Sequence, residues 1–148
     1  MNKIKLYFTI VARILLGLMW VWAGIEKIAD PGQFARDISN YHLLPFGTEN
    51  IIAIILPWLE LFIGVSLIIG LYIDASSIIS AGLMSVFIIF IFQAMVRGFN
   101  IECGCGLKEG QMVGWEKIIE NIIYLAISYL ILIRKEKKLE LFPKVRLS

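Results

Sequence analysis

Charge is scarce in this chain. Fourteen Lys and Arg and twelve Asp and Glu make up only 18% of 148 residues, against 59% hydrophobic residues. Soluble domains usually carry about 25% charged residues, so a water-soluble globular protein is disfavoured from the outset. Histidine occurs once and cysteine twice. That leaves too few ligands for a four-coordinate zinc site unless subunits share one, and no metal is expected. A net charge of +2 says little by itself, and no nucleic-acid partner is expected. There is no internal repeat and no low-complexity segment.

Long apolar runs are what the chain has in abundance. A membrane span needs about 20 mostly apolar residues, and four stretches qualify, near Leu6–Ile28, Ile51–Ile73, Ser76–Val96 and Trp115–Ile133. They use most of the chain, so the expectation is one all-α integral membrane domain over residues 1–148, a bundle of four transmembrane helices. Lys3 and Lys5 precede the first span, and Arg134, Lys135, Lys137, Lys138, Lys144 and Arg146 follow the last. Positive charge near span ends marks the cytoplasmic side. Four spans place both termini on one side, which agrees with two basic ends. Both termini are therefore assigned to the cytoplasm, in a multi-pass protein of the cell inner membrane, with loops 29–50 and 97–114 facing outward. Arg13 interrupts the first apolar run and no small-residue cleavage site follows it, so this run is read as a span rather than a cleaved signal peptide.

The first outer loop has its own pattern. Asp30-Pro31 offers an N-cap and a first-turn proline. Phe34, Ile38 and Tyr41 then recur at helical spacing. The spacing predicts a short amphipathic helix in the outer interface, ended by Pro45 and acting as a lid or as a shield for helix ends. His42, in the same segment, reads as a surface residue. Ser77, Ala81 and Ser85 recur every four residues in the third span and permit close helix packing.

Charges inside the spans are costly, about 2.5–3.5 kcal/mol each at a helix centre on insertion scales. Arg13 shares one face of span one with Gly17, Trp20, Gly24 and Lys27; Pro57, Glu60, Gly64 and Leu67 form a stripe on span two. Measured from the span boundaries, Arg13 lies about 10 Å above the inner edge and Glu60 about 14 Å below the outer one. In a core about 30 Å thick their depths differ by only about 6 Å, and Arg13 is expected to meet Glu60 in the bundle interior. Such a pair either fixes helix register or lines a polar pocket that binds a headgroup or relays protons. Lys27 and Arg97 lie near outer span ends, where long basic side chains snorkel; Lys27 also shares the face of Trp20, which points to a pocket opening outward.

The two cysteines stand in Asn100-Ile101-Glu102-Cys103-Gly104-Cys105-Gly106, on the second outer loop. The thiolate is the reactive form, and cations such as Arg97 and Lys108 favour it while Glu102 opposes it. A disulfide across a single glycine closes a small strained ring. Strained exposed disulfides are oxidising and labile, which suits a catalyst passing a disulfide on better than a structural staple. Cys103 and Cys105 are the candidate catalytic pair.

The chain resembles the DoxX-like membrane proteins and, among them, the branch of methylamine-utilisation protein MauE. The resemblance rests on Arg13-Ile-Leu-Leu-Gly-Leu-Met-Trp-Val-Trp-Ala-Gly-Ile-Glu-Lys27, Asn40-Tyr-His-Leu-Leu-Pro45, Leu56-Pro-Trp-Leu-Glu-Leu61 and Arg97-Gly-Phe-Asn-Ile-Glu-Cys-Gly-Cys105. Where the family pattern places an aromatic after the second cysteine, this chain has Gly106 and Leu107. The resemblance implies a redox-associated four-helix membrane protein involved in maturing a disulfide-rich periplasmic enzyme, with Cys103 and Cys105 as the redox pair. It also implies a quinone as electron acceptor; Arg13, Trp20, Lys27, Glu60 and Arg97 are the candidate residues for holding such a carrier.

The leading functional expectation is thus thiol–disulfide exchange with an extracytoplasmic thiol protein, coupled to a membrane carrier. Two alternatives stand beside it. One is a non-catalytic membrane subunit or maturation factor that anchors a redox complex. The other is a small transporter or channel using Arg13 and Glu60, which as four thin helices would require a homo-oligomer.

Overall fold

A computed structural model describes residues 3–98 and 114–134, and Cys103 and Cys105 lie outside these described residues. The described chain forms five helices, with no strand among them: α1 (Lys3–Ala29), α2 (Pro31–Asn40), α3 (Thr48–Ile69), α4 (Ile73–Val96) and α5 (Trp115–Leu132). Helices α1, α3 and α4 are long and apolar enough to cross a membrane. The fourth expected span coincides with α5, but Glu116, Lys117 and Glu120 crowd its first two turns, so length and composition qualify three helices rather than four. Large apolar side chains such as Phe8, Leu15, Trp22, Ile55, Phe62 and Ile89 stay more than half exposed. A surface of that kind is untenable in water and natural in hydrocarbon, and the chain is a membrane protein.

Local chemistry sets the helix ends. The Asp30 carboxylate accepts from the backbone N–H of Gln33 at 2.9 Å and Pro31 opens α2. The helix stops at Asn40, short of Pro45, because His42 takes a left-handed conformation with φ 49°. Helix α3 ends at Ile69 rather than at 73, because Gly70 adopts φ 91° and both Gly70 and Leu71 donate to the Ser66 carbonyl at 2.9 Å. The turn Gly70-Leu71-Tyr72 leads straight into α4, which starts three residues earlier than the sequence suggests.

Packing joins α1 to α3 and α4 to α5 as two intimate antiparallel pairs, with α2 laid on α3. Glycine makes the first pair possible. A Cβ on Gly64 would lie 2.6 Å from the Gly17 carbonyl oxygen and 2.7 Å from the Val21 nitrogen, and one on Gly24 would lie 2.9 Å from the Pro57 oxygen. The small stripe expected on α4 is only partly used: Ser77 is buried with Ser76 and Ser80, whereas Ala81 and Ser85 are half-buried. The central core gathers Leu16, Trp20, Ile63, Leu67, Met84 and Ile131 from four helices. A second cluster, Phe34, Ala35, Ile38 and Ala53, seats α2 on α3.

Because the Gly64 contacts are with backbone, Gly64→Ala should cost about 1–3 kcal/mol through overpacking. Gly82→Ala is the control, since a Cβ there meets nothing within 4 Å. Unfolding titrations of both variants in detergent or bilayer check this; a Gly64→Ala protein as stable as Gly82→Ala would mean that α1 and α3 can separate freely.

Candidate functional site

The two stripes marked in the sequence face each other. Arg13, Gly17, Trp20, Gly24 and Lys27 are all buried on α1, as are Pro57, Glu60, Gly64 and Leu67 on α3. Their pairing differs from the expectation. Glu60 is fully buried and is held by Lys27, whose Nζ donates to both carboxylate oxygens at 2.9 and 3.0 Å. Arg13 lies on the same face of α1 as Lys27 but fourteen residues earlier, about 21 Å along the axis. It cannot share that carboxylate, and a polar path built on contact between Arg13 and Glu60 loses its premise. The reason is register: Gly17 packs on Gly64 and Ile68, and Gly24 on Pro57 and Leu61. That offset brings Glu60 level with the Lys27 end of the α1 stripe and leaves Arg13 near the far end of α3.

Lys27 does not snorkel; it is 6% exposed. Its ammonium lies 5.0 Å from the ring centroid of Phe34 on α2 and 5.5 Å from that of Phe87 on α4, a distance at which a cation is attracted to the ring face. Four helices therefore meet at one ion pair. Two full charges without water require this saturation: the carboxylate takes both its bonds from one ammonium, and the ammonium's remaining side is covered by aromatic rings.

About two turns further into the bundle, roughly 10 Å along α1, lies a neutral polar layer. The Trp20 indole N–H donates to Ser80 Oγ at 2.8 Å, Ser80 and Ser128 share a hydrogen bond of 2.8 Å, and Ser128 Oγ donates to the Tyr124 carbonyl at 3.0 Å. Trp20 thus ties α1 to α4 and α5, and its ring lies 6.4 Å from that of Phe87. Asn121 is buried on α5, and its amide nitrogen finds no hydrogen-bond partner among the described residues. Ser80, Ser128, Phe87 and Asn121 were not singled out from the sequence. Serines and a phenylalanine in an apolar span carry no signal of their own, whereas Asn121, the amide within the last span, was a legible clue.

The other candidates lie apart. Arg97 is exposed at the end of α4, with the side-chain amide of Gln93 beside its guanidinium. At the opposite end of the bundle Arg134 donates to Asp74 at 2.8 Å, tying α5 to the start of α4. On the lid, Tyr41 is buried against Phe90, ring centroids 5.8 Å apart. Burial, with the nearby Asp37 charge adding to it, pushes the Tyr41 hydroxyl well above its ordinary range, so it remains a neutral phenol. No group of three or more His, Cys, Asp or Glu able to hold a metal occurs among the described residues.

Removing one charge of the Lys27–Glu60 pair strands the other in a dry site. Lys27→Met should destabilise by about 3–5 kcal/mol, and joint replacement with Glu60→Met should recover most of that loss. A double-mutant cycle on unfolding free energy tests this; equal cost in the single and double variants would show that the carboxylate is solvated by something other than Lys27.

Comparison with known proteins adds a family. The model of the family described as methylamine utilisation protein MauE matches residues 5–134. The methylamine utilization protein MauE of Paracoccus denitrificans is 29% identical over 120 residues, covering 78% of this chain and 63% of its own length. Its counterpart in Methylorubrum extorquens is 33% identical over 117 residues, covering 76% and 62%. That of Methylophilus methylotrophus is 30% identical over 95 residues, covering 64% and 50%. The chain thus spans less than two thirds of the length of these relatives. No solved structure matches it.

Proposed function

The chain belongs to the MauE family, and from that membership we propose that it is a membrane accessory protein that exchanges disulfides with an extracytoplasmic partner through Cys103 and Cys105. Its four apolar helices, α5 included, cross the inner membrane, with the termini cytoplasmic and the α2 end outward. The observation that carries this reading is positional. Helix α4 ends at Val96 and α5 begins at Trp115, and these two helix ends, which flank the cysteines in the sequence, lie at the end of the bundle that carries the α2 lid and the Lys27–Glu60 pair.

The exchange is balanced as follows. A thiolate of the partner attacks the Cys103–Cys105 disulfide and forms a mixed disulfide. The partner's second thiolate then displaces the remaining Cys, which leaves the partner oxidised and the pair as two thiols. Re-forming the disulfide releases two electrons and two protons, and a membrane quinone accepts both and becomes a quinol. The names of the relatives point to methylamine utilisation as the system in which the partner is made. The wider DoxX-like resemblance is what suggests the quinone.

A second reading has its own support. The Lys27–Glu60 pair is saturated and roofed, an arrangement suited to holding four helices in one geometry, and a non-catalytic subunit anchoring a redox complex would need only that. The two readings part on the cysteines. With Cys103→Ser or Cys105→Ser, one variant should accumulate a covalent partner adduct that dithiothreitol releases, and the partner's own disulfides should fail to form in cells. If both variants leave the partner fully oxidised and trap nothing, the exchange reading is wrong and the anchoring one stands.

A further inference from the structure

Beneath the lid lies a cavity of about 220 Å³ that none of the chemistry above uses. Its walls come from three helices, among them Phe34 and Ile38 of α2, Leu56 of α3, and Leu83, Val86 and Phe90 of α4. Among the described residues that line it, Tyr41 alone has a polar side chain, and its hydroxyl stays neutral. Water is excluded, since a buried water needs two to four polar partners. A polar ligand, or a ring bearing two carbonyls, would find a single hydroxyl, that of Tyr41, for all its acceptors. The volume nevertheless exceeds the roughly 150 Å³ of an apolar cavity that takes up benzene.

The cavity is continuous with the surface that faces lipid. Val86, on its wall, is 43% exposed, and Ile55 and Ile89 beside the lining positions of α3 and α4 are more than 60% exposed. Helices α3 and α4 are joined at the far end by a three-residue turn but pack on each other far less than either packs on its main partner. The chamber sits where α2 fills the space between them.

We propose that this cavity binds one hydrocarbon chain of a phospholipid, taken from the leaflet on the α2 side, as a structural ligand. Only hydrocarbon matches the lining, and the bilayer supplies it directly at the rim. The chain also has a task. Phe34 and Phe87 wall the cavity and, from the same position, cover the ammonium of Lys27. A filled cavity holds the two rings in place; an empty one gives them room to turn away and admits water to the Lys27–Glu60 pair. This inference does not depend on thiol exchange.

The test is native mass spectrometry of the protein in mild detergent, with extraction and identification of what it retains. A phospholipid should remain bound to the wild type and be lost from Leu83→Phe, which fills the chamber, but not from Ile89→Phe, whose side chain points outward. As a check independent of how well Leu83→Phe folds, Trp20 lies one ring away from the cavity wall at Phe87. In a protein whose other tryptophans, Trp22, Trp58 and Trp115, are replaced by Phe, phospholipids brominated along the acyl chain should quench Trp20 fluorescence, and Val86→Phe should relieve the quenching. Retention of the phospholipid by Leu83→Phe, identification of the bound molecule as an isoprenoid, or Trp20 quenching unchanged by Val86→Phe would each overturn the proposal.

Discussion

One buried ion pair organises this protein. Lys27 and Glu60 are brought together away from water at a point where α1, α2, α3 and α4 converge, and neither charge is tolerable there without the other. Such a pair contributes little net stability compared with apolar residues of the same size. Its effect is on choice. Sliding α3 one turn along α1 would separate two charges in a low-dielectric interior, so alternative registers are penalised far more heavily than the native one is favoured. The glycine contacts work in the same direction through shape, since Gly17 and Gly64 interlock at backbone distance. Charge and shape therefore select the same register independently.

The aromatic rings over Lys27 extend this constraint to the lid. Phe34 belongs both to the apolar cluster that seats α2 on α3 and to the cover of the ammonium. The lid is thus bound to the ion pair through one side chain, and its position and the dryness of the charges are a single variable. The neutral layer of Trp20, Ser80 and Ser128 does for α4 and α5 what the ion pair does for α1 and α3, with hydrogen bonds in place of charges. Two layers of different chemistry, stacked along one axis, give the bundle a polar spine that lipid cannot dissolve.

Much of this arrangement was legible in the sequence. Every residue of the two stripes on α1 and α3 is buried, because helical periodicity alone decides which side chains share a face. Partner choice was not legible in the same way. Depth reckoned from each span's own edges aligned Arg13 with Glu60 by assuming that the two spans begin and end at the same levels, whereas the glycine contacts offset α1 from α3 along their axes. Relative depth depends on which glycine meets which, and that is a property of the packed pair. The start of α2 was legible in Asp30-Pro31 because capping is local. Its end was not, since it rests on His42 adopting a left-handed backbone that nothing in its immediate sequence demands. The chain of hydrogen bonds from Trp20 through Ser80 to Ser128 required three helices to be assembled first. For the cysteines, the chemistry was readable from residue type, and it stays an argument from sequence because they fall outside the described residues.

The unequal lengths of the two glycine-locked helices have a mechanical consequence. At 1.5 Å per residue, the 27 residues of α1 measure about 40 Å and the 22 of α3 about 33 Å, while the hydrocarbon layer is about 30 Å thick. An overlong apolar helix relieves such hydrophobic mismatch by tilting. Here α1 cannot lean alone, because its contacts with α3 are backbone to backbone. The two must incline as one stiff plank, and the thickness of the surrounding bilayer then sets the pitch of the end of the bundle that carries α2.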